Sequence, residues 1–378
     1  MPMNFGRLQQ LFAPMIREIN TMSPLIVTIA GTNGKGETAH NFQKIALSSS
    51  KNYKVAMWTS PHVESYTERF VFNGERKSER DLRESLDGFE KLYPQNLIGL
   101  SFYELSFWLF CDQVIKERPD IIILEVGLGG RLDAVNMLDS NLVILTSISR
   151  DHVEFLGHTY REIVLEKLGV VRKNSKIIYS VNSEYLKGII NKHVAQKGVT
   201  KLKFVCPNNP KYKNYHERNL ALAVGGFELL TGIKIKNPSE FASTSLGRGS
   251  FFCFAGLNFK FYNSHNLDGH REFLKSNATN SDKYIFLFFS RRCKKELMSI
   301  YSLYSQSFKG LLFLCGLDGH HKVLSKSEII DALTPSHEVL NFSDHHQIEK
   351  KFKKERVEEC VAIGSNFIQN ALVREFVS

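Results

Sequence analysis

The sequence predicts an α/β protein of two domains, a reading that rests on three observations. Short β-branched runs alternate with longer helical patterns, a Gly-rich turn follows the first of those runs, and the composition changes around residues 235–250. The 378 residues carry 43% hydrophobic and 23% charged side chains, near the averages for a globular chain. A chain of this length buries enough surface to hold a core without disulfide or metal staples.

In chain order, residues 1–20 mix Asn4, Arg7, Gln9, Gln10, Arg17 and Glu18 among apolar side chains, so no signal-peptide core can be drawn there. Strands are expected at 26–30, 121–126, 142–147 and 176–179. The first helix opens at the Gly-rich turn and runs through 42–47, and further helices are expected at 79–92, 102–116 and 160–171. This alternation argues for βαβ units and a mainly parallel sheet. Residues 235–250 contain Asn237, Pro238, Ser239, Ser243, Thr244, Ser245, Gly247, Gly249 and Ser250, a linker composition. The expected domains are therefore 1–245 and 246–378. Beyond the linker, 251–262, 284–289, 311–315 and 361–363 are strand-like, consistent with a smaller α/β domain of Rossmann-like type. No internal repeat is visible.

The formal charge of +10 suits anionic partners. The basic clusters Arg291, Arg292, Lys294, Lys295 and Lys350, Lys351, Lys353, Lys354 lack interleaved aromatics, which disfavours nucleic acid. Six scattered cysteines without a C-x-x-C pair read as reduced core residues. No run approaches the ~20 apolar residues of a spanning helix, so a cytoplasmic, unanchored protein is expected.

The strongest local signal is Ile26-Val-Thr-Ile-Ala-Gly-Thr-Asn-Gly-Lys-Gly-Glu-Thr38, a buried strand entering a Gly-rich turn that opens a helix. Backbone amides there can converge on phosphate oxygens, the helix N-terminus adds positive potential, and Lys35 supplies a mobile cation. The spacing differs from the usual G-x-x-x-x-G-K-[ST] loop, because Ile29 stands at the first glycine position. A second strand ends in Glu125, followed by Val-Gly-Leu-Gly-Gly-Arg-Leu-Asp133. A carboxylate at a strand tip beside a phosphate loop is where an Mg²⁺ ligand is needed. A dinucleotide fingerprint starts at Gly127 and Gly129 but fails at Leu132. A third strand runs into Ser149-Arg-Asp-His152, whose His152 is a further ligand candidate.

Together these stretches resemble the folylpolyglutamate synthase and dihydrofolate synthase branch of the Mur ligase superfamily. The resemblance is carried by Ala30-Gly-Thr-Asn-Gly-Lys-Gly36, Thr59-Ser-Pro-His62 with Glu68-Arg69, Glu125 to Ala134, Asp151-His152 with Leu156-Gly157, and Glu166-Lys167-x-Gly169. The second half matches through Asn219, Gly247-Arg248, Ser264-His265-Asn266 and Ile363-Gly364-Ser365. The resemblance implies a P-loop-containing ATPase domain of parallel-sheet type that also binds pteroate, followed by a glutamate-ligase domain. It implies a monomer that acts as an ATP-dependent amide ligase. Such an enzyme adds L-glutamate to dihydropteroate, to a folylpolyglutamate, or to both, through an acyl phosphate.

Residue by residue, the resemblance implies ATP contacts by Thr32, Asn33, Gly34, Lys35, Gly36, Asn219 and Arg248. It implies Mg²⁺ ligation by Ser60, Glu125, His152 and Lys167, the last as a carbamate. An ammonium cannot ligate a metal, whereas a carbamate offers two anionic oxygens. Lys35, His152 and Lys167 form the implied catalytic set. Ser101, Phe102, Tyr103, Glu104, Leu132, Asp133 and Ala134 match segments lining the pteroate pocket.

The chain departs from the family at Glu37, where Ser or Thr is usual, and at Tyr262-Asn-Ser-His265-Asn266, where Tyr262 replaces an Asp. A carboxylate at position 37 could ligate Mg²⁺ directly or turn into solvent, and the role of His265 is open. Two alternatives follow. One is a degenerate nucleotide-binding regulatory protein of the same fold. The other is a cell-wall Mur ligase, disfavoured because the phosphate loop begins at residue 31 without a preceding UDP-binding domain.

Overall fold

The computed structural model describes residues 5–368 apart from 64, 94–98, 200, 207–208, 210–211, 213, 243–247, 255–256, 265, 278–283, 353–359 and 366–367, and leaves the side chains of 248–252 and 276–277 undescribed. The chain forms two compact units, Met1–Ser243 and Thr244–Ser378.

The first unit contains strands β1 (Leu25–Ala30), β2 (Val55–Trp58), β3 (Phe70–Phe72), β4 (Glu75–Arg76), β5 (Ile121–Glu125), β6 (Leu142–Leu145), β7 (Lys176–Tyr179) and β8 (Lys201–Phe204). Its sheet order is β4-β3-β2-β5-β1-β6-β7-β8. The strands run parallel from β2 to β8, while β3 and β4 add an antiparallel edge. The helices are α1 (Phe5–Met22), α2 (Lys35–Leu47), α3 (Glu79–Leu92), α4 (Phe102–Glu117), α5 (Val153–Leu156), α6 (Tyr160–Leu168), α7 (Glu184–Gln196) and α8 (Tyr215–Thr231).

Alternation along β1 sends Val27 and Ile29 into a core shared with Phe42 and Phe227, and Ile26 and Ala30 into a second core with Phe12, Trp58 and Phe107. Both faces are therefore covered, which is why the central strands read as continuous apolar runs. Each fully buried side chain of this kind contributes roughly 1.5–3 kcal/mol. Helix α1 buries Leu8, Leu11, Phe12, Met15 and Ile19, one stripe at helical spacing. That amphipathic pattern accounts for the polar residues that break up the N-terminal stretch.

Strand β6 stops at Leu145, two residues short of expectation, because the side chains of Thr146 and Ser147 turn to the Gly-rich loop and donate to Asn33 O at 2.8 and 3.0 Å. Helix α6 likewise ends at Leu168 rather than 171. All six cysteines are unpaired, but only Cys111, Cys315 and Cys360 are buried, so the core expectation fails for the exposed Cys206, Cys253 and Cys293.

The second unit contains β9 (Arg248–Phe254), β10 (Leu257–Asn263), β11 (Tyr284–Phe288), β12 (Leu311–Gly316), β13 (Val339–Asn341) and β14 (Cys360–Gly364). They are ordered β13-β12-β11-β14-β10-β9, parallel except for β9 against β10. Helices α9 (Leu267–Asn277), α10 (Lys294–Ser307), α11 (Lys326–Leu333) and α12 (His345–Phe352) alternate with these strands. The single strand expected at 251–262 is instead an antiparallel pair in which Leu257 faces Phe254. Among the described residues, no helix is long and apolar enough to cross a membrane.

Candidate active site

Strand β1 lies between β5 and β6, so the sheet changes its direction of winding there. Ligands of open α/β sheets bind outside the C-terminal strand ends at such a point. Residues 31–34, between β1 and α2, occupy it, and the loop after β6 holds them in place. Thr32 N donates to Ser147 O at 2.7 Å, and Asn33 N donates to Ser147 Oγ at 2.9 Å. The Thr32 hydroxyl donates to Ser149 O and accepts from Ser149 N. Gly31, at φ +146°, passes so close to the residue after β6 that a Cβ would stand 2.0 Å from Thr146 Oγ1. Gly34 adopts φ +92°, a left-handed conformation that glycine takes without strain. Lys35 Nζ donates to Thr32 O at 3.2 Å, keeping its cation at the loop. The first turn of a helix leaves amides without intrahelical partners, and its dipole favours anions.

Glu125 closes β5 beside this loop. A Cβ on Gly36 would lie 3.3 Å from Glu125 Oε2, and Ser60 N donates to the same oxygen at 3.0 Å. Ser60 Oγ is buried and has no hydrogen-bond partner among the described residues. A buried hydroxyl beside a carboxylate and a phosphate loop fits a hard-cation site, because oxygen donors of this kind bind Mg²⁺.

Lys167, only 4% exposed, donates from Nζ to Gly31 O at 3.0 Å. Burial, and then the charge of Lys35, brings its ammonium down to about 7. His152 sits at φ 48° before α5, with its side chain half exposed. Its amide donates to Oδ1 of the buried Asp151. Among the described residues, no group of three or more His, Cys, Asp or Glu side chains is close enough to hold a metal. The expected set draws only Glu125 and His152 from those types, so a metal here depends on Ser60 and on modification of Lys167.

Glu37 does not turn into solvent. It is 2% exposed; its Oε1 meets His216 Nδ1 at 2.5 Å, and its Oε2 accepts from Asn219 Nδ2 at 2.6 Å. Both partners are on α8. Asn219 also abuts the phosphate loop, where a Cβ on Gly34 would lie 2.6 Å from Asn219 Oδ1.

The segments matched to pteroate divide in two. Ser101 and Glu104 form the capping box that starts α4, so their side chains are spent on the helix. Tyr103 and Asp133 form a buried node: Tyr103 OH donates to Asp133 Oδ1 at 2.9 Å and accepts from Trp58 Nε1 and Gly127 N. Asp133 also accepts from the amides of Gly127, Leu128 and Val135. Burial pushes its carboxyl up while these donors oppose the shift. Phe102 and Leu132 are exposed, at 59% and 54%, and Ala134 is buried.

Arg69 received no role from the sequence beyond its place in the matching motif. Its guanidinium lies 5.6–5.9 Å from the ring centroids of Phe102, Trp58 and Tyr103, and Nε donates to His62 Nδ1 at 2.9 Å. Among the described residues Nη1 is buried without a partner, and burial lowers the pKa of the group. Nothing local in the sequence distinguishes this arginine, because its rings come from β2 and α4. The side chain of Arg248, and His265 altogether, lie outside the described residues.

The first unit is a doubly wound α/β unit with a Gly-rich strand-to-helix loop at its switch point and an acid at the end of the adjacent strand, an arrangement of P-loop type. No family model matches the chain. It is 37% identical over 160 residues to the dihydrofolate synthase/folylpolyglutamate synthase of Escherichia coli K12, an alignment covering 41% of this chain and 36% of that enzyme. The matched stretch is thus well under half of the curated relative. Over nearly the whole chain, the fold is that of solved structures of the same enzymes. The bifunctional folylpolyglutamate synthase/dihydrofolate synthase from Yersinia pestis, complexed with AMPPNP and Mn, gives a TM-score of 0.80 at 22% identity, covering 99% of this chain and 93% of that one. E. coli FolC in complex with DHPP and ADP gives 0.76 at 22% identity, covering 96% and 91%. The likeness to the dihydrofolate synthase/folylpolyglutamate synthase enzymes therefore stands on sequence over 160 residues and on fold over nearly the whole chain.

Proposed function

We propose that the chain is an ATP-dependent acid–amino-acid ligase that adds L-glutamate to dihydropteroate, to a folylpolyglutamate, or to both. The observation that carries this is the partnerless Ser60 Oγ beside Glu125 at the mouth of the phosphate loop. The compared structures hold AMPPNP with Mn in one case and DHPP with ADP in the other, which supports a nucleotide, a divalent metal and a pteridine substrate for this chain too.

In this reading Asn33, Gly34, Lys35 and Gly36 cradle the phosphates, and Lys35 offsets charge on the transferring phosphoryl. Ser60, Glu125, His152 and carbamylated Lys167 would hold Mg²⁺, which when bound supplies Lewis-acid stabilisation of phosphate charge. A pKa of about 7 supports the carbamate, since a neutral amine is the form that adds CO₂. The Tyr103–Asp133 node and the face of Phe102 orient the pterin, and the buried Nη1 of Arg69 offers a donor to substrate anion. The substrate carboxylate takes the γ-phosphoryl from ATP, and the amino group of glutamate displaces phosphate. No protein nucleophile is needed.

The test is incubation of the purified chain with Mg²⁺-ATP, L-glutamate and either dihydropteroate or a reduced folate, with products identified by mass. Addition of one glutamyl residue to each substrate supports both activities, and to one alone reduces the proposal to that activity. Unaltered substrate in both reactions counts against it.

A further inference from the structure

At the β8 edge of the first sheet, lysines from two strands and from the segment after α8 meet in an open cleft of about 360 Å³, lined by Lys176, Lys201, Lys203, Glu228, Lys234 and the last turn of α8. Strand β8 is outermost and pairs with β7, which sets Lys201 beside Lys176 and Lys203 beside Ile178. Lys201 and Lys203 are two residues apart and so share one face of the sheet, the face on which α8 packs. A Cβ on Gly225 of α8 would stand 2.7 Å from Ile178 Cδ1 and 3.2 Å from Lys203 Nζ. Like charges side by side on neighbouring strands are unfavourable. Among the described residues lining the cleft, Glu228 is the one acid. Its Oε2 accepts from Lys234 Nζ at 3.2 Å and lies 3.9 Å from Lys203 Nζ, and its Oε1 accepts from Ile235 N. Lys176 Nζ donates to the carbonyls of Leu229 and Leu230 at 3.0 and 3.1 Å, capping the C-terminal end of α8. Four ammonium groups thus share one carboxylate. Lysines on an edge strand also keep it from pairing with other chains, but Lys176 and Lys234 are not on β8, and Lys203 lies over α8 toward Glu228.

We propose that this cleft is a second anion site, which takes a small molecule carrying two or more linked phosphate groups. Lysine is a compact point charge without the rigid fork of arginine, so a group of lysines suits charge spread over several oxygens rather than one planar carboxylate. An anion held between Lys201, Lys203 and Lys234 relieves their mutual repulsion. The cleft is separate from the phosphate loop. Helix α8 meets that loop at Asn219 and the cleft at Thr231, roughly 18 Å further along its axis. Occupancy of the cleft is therefore independent of what the loop binds.

The experiment is footprinting of the full chain with an amine-acylating reagent at constant ionic strength, in sodium chloride alone, with inorganic pyrophosphate, or with ADP, each modified lysine being located by mass. The expected result is that pyrophosphate slows labelling of Lys201, Lys203 and Lys234 several-fold, while Lys294 and Lys295, exposed on α10, react at an unchanged rate. Protection by ADP as well admits a nucleotide to the site, and protection by pyrophosphate alone restricts it to free condensed phosphate. Lys201→Gln/Lys203→Gln removes two exposed charges, and should raise the pyrophosphate concentration that protects Lys234 by roughly tenfold or more. Lys294→Gln/Lys295→Gln removes the same charge elsewhere and should leave that concentration unchanged. Protection no greater than in sodium chloride, equal protection of every exposed lysine, or equal weakening by the two double variants would overturn the proposal and leave a solvated basic edge. Protection of Lys35 reports on the phosphate loop and is read separately, so failure of the nucleotide reading and failure of the cleft give different patterns.

Discussion

The amide of Ser60 donates to Glu125 Oε2 at 3.0 Å while the Ser60 hydroxyl, buried on the same residue, has no partner among the described residues. One group fixes the carboxylate, and in the proposed reading the other is a donor for a bound cation. Glu125→Gln should preserve the fold, since an amide oxygen still accepts from Ser60, but it removes the charge that a cation needs. We expect the melting temperature to change little and phosphate release to fall by about 10²-fold or more, on the order of 3 kcal/mol of lost stabilisation. Activity within about threefold of the unaltered chain would contradict the assignment.

Gly31 tests the loop itself. An added Cβ would stand 2.0 Å from Thr146 Oγ1, so Gly31→Ala must displace either the loop or the end of β6. Overpacking of this kind costs roughly 1–3 kcal/mol. Chemical denaturation should show that loss together with abolished nucleotide binding, whereas a stable variant that still binds ATP would mean the loop adapts.

Lys167 makes a pH-dependent prediction. In the unfolded chain it titrates at its ordinary 10.5, and in the folded chain at about 7. Between those values the unfolded state holds a proton that the native state lacks, so native stability rises with pH across that window. The cost of burial is fully present below pH 7. In CO₂-free buffer, Lys167→Met should therefore be the more stable protein by on the order of a few kcal/mol at about pH 6–7, with the gap closing toward about pH 10.5. A gap independent of pH would show that the native amine titrates normally.

Phe102 and Tyr103 separate substrate contact from architecture. Phe102 is largely exposed, so Phe102→Ala should alter stability by less than about 0.5 kcal/mol and raise KM for the pterin substrate. Tyr103→Phe removes a donor to Asp133 and an acceptor for Trp58, and should cost about 1–3 kcal/mol. Melting curves and KM measured on the two variants check this, and equal destabilisation by both would contradict it.

The phosphate loop, Glu125 and the central strands were legible because each depends on a contiguous stretch: an apolar run, then glycines, then a helical pattern. The surroundings of Glu37 were not, since His216 and Asn219 are far along the chain on α8 and only the folded sheet brings that helix to α2. Arg69 is similar, because its aromatic neighbours are contributed by two other elements. Tyr103 was expected only as part of a pocket lining, and its hydroxyl is held by Asp133 in a polar node that the sequence does not announce. Helical position can be read from sequence, but which side of a ring meets a partner across the sheet cannot. The pair β9 and β10 was read as one strand, because only Ala255 and Gly256 separate them and the apolar pattern is interrupted briefly.

Transfer of the γ-phosphoryl of ATP to a substrate carboxylate is the central step of the proposed reaction, and isotope transfer measures it. Dihydropteroate labelled with ¹⁸O in its carboxylate is incubated with the chain, Mg²⁺-ATP and L-glutamate, and the released phosphate is analysed by mass. An acyl phosphate predicts one labelled oxygen in each phosphate formed, with release dependent on both pteroate and glutamate. Unlabelled phosphate, released whether or not dihydropteroate is present, would contradict the ligase account and leave a nucleotide hydrolase in its place.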